Sequence, residues 1–84
     1  MDASPGEHPD WKTRIVTDPR ILCGKPIIKG TRIAVELVVD LVGRGYTFEQ
    51  VIEQYDHLTP LDVRACIAYA ADVLKSERVY SVPA

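Results

Sequence analysis

Gly24-Lys25-Pro26-Ile27-Ile28-Lys29-Gly30-Thr31-Arg32-Ile33-Ala34-Val35-Glu36-Leu37-Val38-Val39-Asp40-Leu41-Val42 is the stretch on which the fold turns, because the apolar period changes inside it. Up to Ile33 the apolar residues come in short runs broken by glycine, proline and cations. That pattern reads as very short strands or extended pieces joined by tight turns, with Gly24 and Gly30 making the turns and Pro26 stiffening the link. From Val35 onward, Val35, Val38, Val39 and Val42, with Leu37 and Leu41, form a stripe at helical spacing. Glu36, Asp40 and Arg44 take the opposite face. Valine is a poor helix former, so burial must hold this helix.

Downstream, Gly43 and Gly45 end the first helix, the second glycine as a left-handed cap. Thr47-Phe48-Glu49-Gln50 is a capping-box sequence, opening a helix that runs to about Tyr55 and buries Val51, Ile52 and Tyr55. Asp56-His57-Leu58 makes a short turn. Thr59-Pro60 then places an N-cap before a proline at the first helical position, with Asp62 in the first turn. The third helix runs to about Ser76. Upstream, Ile15-Val16-Thr17 is β-prone and is stopped by Asp18-Pro19, and Ile21-Leu22-Cys23 reads as another extended piece. Such pieces are not stable alone and must pack on the helices. The expected fold is mainly α: three helices, the last two in helix-turn-helix outline, behind short N-terminal β-strands. Residues 1–12 read as a flexible tail, 13–76 as the domain and 77–84 as a second tail.

Eighty-four residues make one domain with a marginal core, so association would help it. At 46% hydrophobic and 26% charged, the chain is globular rather than disordered. No apolar run approaches the roughly eighteen residues a membrane span needs. The acidic, polar opening Met1-Asp2-Ala3-Ser4 is unlike a signal peptide. Cys23 and Cys66 make neither a disulfide framework nor a metal site, and the expected location is the cytoplasm.

The charge is unevenly spread. Between residues 12 and 32 lie Lys12, Arg14, Arg20, Lys25, Lys29 and Arg32 against the single acid Asp18, a sum of +5. The whole chain carries −2, which leaves −7 for the rest. A positive arm on an acidic body suits contact with phosphates or with carboxylates of a partner protein. The plainer reading is a solvated strand edge whose lysines discourage aggregation. Arg32 is the strongest candidate, because it follows a turn and precedes the first helix; Lys25, Lys29, Arg20 and Arg64 complete the set. The glycines and lysines stand in the wrong order for a phosphate loop, and Pro26 removes an amide such a cradle would use. His8 and His57 have no nucleophile or paired base at useful spacing, so binding rather than catalysis is expected, with no cofactor and no metal. Cys66 reads as a small core residue, and Cys23 among lysines is weak ground for a reactive thiol.

The third helix points to association. Val63, Ile67, Ala70, Ala71 and Leu74 form one apolar face, extended by Leu61, Ala65 and Ala68. That arc is wider than a small core requires, and its alanines permit close helix approach. Ile67, Ala68, Ala71 and Leu74 are therefore the expected contacts of a homodimer. As a DNA-reading helix it is poor, since Arg64 and Lys75 are its only cations and Asp62 and Asp72 flank them. If DNA is bound, the arm is the better candidate, in the manner of β-ribbon readers.

Taken together, Asp18-Pro19, Gly24-Lys25-Pro26, Ile28, Gly30-Thr31-Arg32-Ile33 and the Thr47-x-Glu49-Gln50 helix start resemble the family called domain of unknown function 433. Tyr55, Leu58-Thr59, Asp62-Val63-Arg64-Ala65 and Ala68-Tyr69-Ala70 continue the likeness, which covers about residues 14–74. The resemblance implies a homeodomain-like or winged-helix-like fold. For many members it also implies the antitoxin role in a type II toxin–antitoxin pair, with a PIN-like ribonuclease as toxin and promoter DNA bound by a dimer for autorepression. A stand-alone DNA-binding regulator without a toxin is the alternative. Two positions depart from the family pattern: proline is expected where Ala34 and Asp56 stand.

Overall fold

The computed structural model describes residues 10–76. The expected tail over 77–84 and the first nine residues of the expected N-terminal tail lie outside them. The elements run in order as strand β1 (Ile15–Val16), strand β2 (Ile27–Ile28), helix α1 (Val35–Gly43), helix α2 (Phe48–Gln54) and helix α3 (Pro60–Ser76). This is a small, mainly α domain of three helices behind a two-stranded antiparallel sheet, the fold class expected from the sequence.

The tail boundary set at residue 12 falls earlier. Trp11–Thr13 forms a 3-10 turn capped by Asp10, whose side chain accepts from the backbone N–H of Lys12. Trp11 stands edge-on to Tyr69, ring centres 4.7 Å apart, and its Nε1 donates to Asp72 Oδ2 at 2.6 Å. A large aromatic that gains both a ring contact and a partner for its N–H has strong reason to dock. Trp11 thereby ties the start of the domain to α3.

β1 and β2 pair with Ile15 opposite Ile28 and Val16 opposite Ile27. On its other side β2 meets the chain entering α1: Ile27 bridges Ala34, Ile28 N–H donates to the Ile33 carbonyl, and Val35 N–H donates to the Pro26 carbonyl. Two residues of strand are thus satisfied on both edges, and Ile27 and Ile28 are both buried. Between the strands, only Ile21 of the expected extended piece Ile21-Leu22-Cys23 is extended. Leu22, Cys23 and Gly24 have φ of 50, 58 and 82° and form a short left-handed turn. The Gly24 and Lys25 amides close it on the Ile21 and Leu22 carbonyls.

α1 ends in a Schellman motif, with the Gly45 amide on the Val42 carbonyl, the Tyr46 amide on that of Leu41, and Gly45 at φ +102°. α2 carries the expected capping box: the Thr47 hydroxyl accepts from Gln50 N–H, and the Gln50 side chain accepts from Thr47 N–H. At α3 the Thr59 hydroxyl accepts from Asp62 N–H at 3.2 Å, while Asp62 Oδ2 accepts from Thr59 N–H at 3.0 Å. Val38 of α1, Val51 of α2, and Val63 and Cys66 of α3 are fully buried where the helices meet. Ile15 and Ile28 close the same cluster from the hairpin. Each buried valine is worth about 1.5–3 kcal/mol, against a helix-propensity deficit of at most about 0.7 kcal/mol, so burial wins. Ile52 and Tyr55 are half-buried against this core rather than inside it.

Candidate binding surface

The cations of the arm divide by what they already hold. Arg14 Nη1 reaches Asp62 Oδ1 at 2.9 Å and joins the hairpin to the cap of α3. Arg20 grips Asp18 through Nε and Nη2, both at 3.1 Å, and that contact, with the Arg20 amide, holds the Asp18 carboxyl below its usual range. Lys25 Nζ lies 3.1 Å from Glu36 Oε2 across the entry to α1. Three of the six charges are therefore matched within the domain. Arg14 was not singled out by the sequence, and its role is structural.

Lys29 and Arg32 make no ion pair among the described residues, and both are exposed. They stand in the reversal that leads from β2 to Ile33. Gly30 provides the positive φ of this turn, +81°. Thr31 stitches it: its hydroxyl donates to the Ile28 carbonyl at 2.7 Å and accepts from Ile33 N–H at 2.9 Å. The Lys29 amide donates to the Arg14 carbonyl at 2.8 Å. The backbone of this turn is thus pinned, while neither charged end makes an ion pair among the described residues. Arg32 lines a shallow cleft with Val16, Asp18, Ile21, Ile27, Gly30 and Thr31. Arg64 is exposed on α3 and takes no part in this turn.

A second surface is apolar. Pro26, Val35 and Val39 on one side and Tyr69, Ala70, Val73 and Leu74 on the other line a groove between α1 and α3, with Glu36 at its edge. Leu74 is 63% exposed. The expected dimer contacts are redistributed accordingly. Ala68 is buried inside the domain and unavailable to a partner, because α3 turns Ala65 and Ala68 onto the core. Ile67 and Ala71 are partly exposed, and Leu74 is open. The α1 half of the groove escaped the sequence reading, since only folding brings Val35 and Val39 beside Val73.

Burial first, and then the nearby Asp62 charge, push the Cys66 thiol up to about 12, which leaves it an inert core residue. Among the described residues no three His, Cys, Asp or Glu side chains cluster as metal ligands, and no helix is long and apolar enough to cross a membrane.

A family model described as "Protein of unknown function (DUF433)" matches residues 15–70, from β1 into the last turns of α3. No curated protein and no solved structure matches the chain. The matched span contains every turn that presents Lys29 and Arg32.

Proposed function

The chain belongs to the DUF433 family, and on that footing we propose that it acts by binding, as the antitoxin of a type II toxin–antitoxin pair. The observation that carries this reading is the turn holding Lys29 and Arg32: two exposed cations that make no ion pair among the described residues, on a backbone fixed by Thr31 and Gly30. A PIN-like ribonuclease concentrates carboxylates around its metal-binding centre, and a rigid pair of cations is complementary to that charge. The turn would cover the toxin's active site, neutralise its acids and keep RNA out. Its place of action would be the cytoplasm.

The same two cations would suit DNA phosphates, which is the basis of the second reading, a DNA-binding regulator with no toxin partner. Purification of the tagged full chain from its host, with identification of what accompanies it, separates the two. A stoichiometric small nuclease is expected. Replacing Lys29 and Arg32 together by alanine is then expected to weaken inhibition at least about tenfold, since a charged hydrogen bond contributes about 1.5–3 kcal/mol. Recovery of DNA with no protein partner would favour the regulator. Two phosphate contacts per chain would then give a log–log salt slope of about −1.8 per chain.

A further inference from the structure

The proposed function draws on the charge of Arg32 but not on the cleft beside it. We propose that this cleft binds a protein partner through one side-chain carboxylate and one apolar side chain on the same face of an extended segment. The carboxylate meets Arg32, and the apolar group rests on Val16 and Ile21. The proposal deepens the antitoxin reading and rests on its premise that the partner is a protein.

The shape of the cleft calls for more than a charge. Its volume of about 480 Å³ lies within the roughly 300–1,000 Å³ of sites that hold small ligands. Its floor is apolar: Ile27 is fully buried beneath it, and Val16 and Ile21 are half-buried and still offer apolar surface. Gly30 keeps the approach to Arg32 open, since no described atom lies within 4 Å of where its Cβ would stand. A bare cation meeting a phosphate has no use for such a floor, whereas an apolar side chain gains by leaving water there.

Charge narrows the occupant further. Asp18, in the wall of the cleft, accepts from the Arg20 amide at 2.9 Å and from Arg20 Nε and Nη2, both at 3.1 Å. Its carboxylate is thereby taken up. Arg32 is near enough for its charge to help lower the Asp18 carboxyl, yet it makes no ion pair with it. Arg20 and Arg32 against Asp18 sum to +1, which one carboxylate balances. A nucleic acid brings a row of negative charges, and Asp18 opposes the ones beyond the first. Bases also stack on aromatic faces, and none of the described residues lining the cleft is aromatic. An acid beside an apolar residue satisfies both halves. Residues i and i+2 of an extended segment share a face, so a Leu-x-Glu sequence presents the two groups together. The guanidinium fork of Arg32 suits a carboxylate in particular.

Amide NMR spectra of the 15N-labelled full chain, titrated with acetyl-Leu-Gly-Glu-amide to about 10 mM at constant ionic strength, test the proposal. One charged and one apolar contact correspond to a Kd of about 1 mM, with shifts expected at the amides of Val16, Ile21, Gly30, Thr31 and Arg32. Acetyl-Leu-Gly-Gln-amide lacks the charge and acetyl-Ala-Gly-Glu-amide lacks the apolar body. Each is expected to bind at least about tenfold more weakly. Arg32→Gln should equalise the Glu and Gln peptides, and Ile21→Gln the Leu and Ala peptides, with the remaining amides unmoved. No shift at the cleft overturns the proposal. So does equal binding of either peptide pair by the parent chain. A short DNA duplex that moves these amides where the peptide does not also overturns it and gives Arg32 to phosphate. These outcomes are separable from the antitoxin reading. A nuclease that co-purifies with a chain whose cleft ignores the peptide leaves that reading standing and removes this proposal. A cleft that takes the peptide in a chain with no nuclease partner does the opposite.

Discussion

At the scale of single residues, the most consequential positions are those whose backbone the fold has forced. Leu22 and Cys23 both adopt left-handed φ, which costs an L-residue about 1–2 kcal/mol. Cys23→Gly removes that cost and adds about 0.5–1 kcal/mol of unfolded-state entropy, so a net gain of about 0.5–1 kcal/mol is expected in urea unfolding. Gly30→Ala is expected to do the reverse and lose about 1 kcal/mol. The added methyl meets no atom within 4 Å, so the loss reports the +81° φ alone. Asp62 accepts from Arg14 and Thr59 at once. Asp62→Ala removes half of the α3 cap and strands the Arg14 guanidinium, and a loss of about 2–3 kcal/mol is expected in the same measurement, discounted for the partial exposure of Arg14.

At the scale of elements, the two departures from the family pattern become intelligible. Ala34 has φ −71° and ψ 141°, and its N–H makes no hydrogen bond among the described residues. The φ suits proline, and no donor bonded among the described residues would be lost. Ala34→Pro is therefore expected to raise stability by about 0.5–1 kcal/mol by restricting the unfolded chain, seen as a higher thermal midpoint. Asp56 follows Tyr55 in the turn closed by the Leu58 amide on the Tyr55 carbonyl, a position that accepts proline or aspartate. The α1 helix thus starts without a side-chain cap, whereas α2 and α3 each have a reciprocal one. Thr47→Ala is expected to cost about 1 kcal/mol and to unravel α2 first, because seven residues cannot hold a helix by propagation alone.

For the molecule as a whole, stability converges on the valine cluster and on Cys66 among it. The Cys66 thiol is raised from an ordinary 9.0 to about 12, chiefly by burial. The unfolded chain therefore releases this proton near pH 9 while the folded chain still holds it. Stability from the neutral thiol is complete below about pH 9 and is lost progressively as the pH rises towards about 12. Equilibrium unfolding across that range should show a falling free energy, with a shallower fall in Cys66→Ala. A thiol reagent at neutral pH should modify exposed Cys23 and spare Cys66.

The features legible in the sequence are local ones. Thr47 with Gln50, Thr59 with Asp62, and Gly45 after Val42 mark helix ends because the atoms that satisfy a helix terminus lie within four residues of it. Gly24 and Gly30 were legible as turns for the same reason, and the residues that carry the family likeness are largely these local devices. Which of the described cations are paired, by contrast, is set by the folded arrangement. Arg20, Lys25 and Arg14 look like Lys29 and Arg32 in sequence, but carboxylates 2, 11 and 48 residues away neutralise the first three. It also decided that Ala68 faces the core, that Trp11 belongs to the domain, and that α1 and α3 share an apolar groove. Each of these depends on how far each helix is rolled about its axis, which packing across the whole chain sets and no short window of sequence contains.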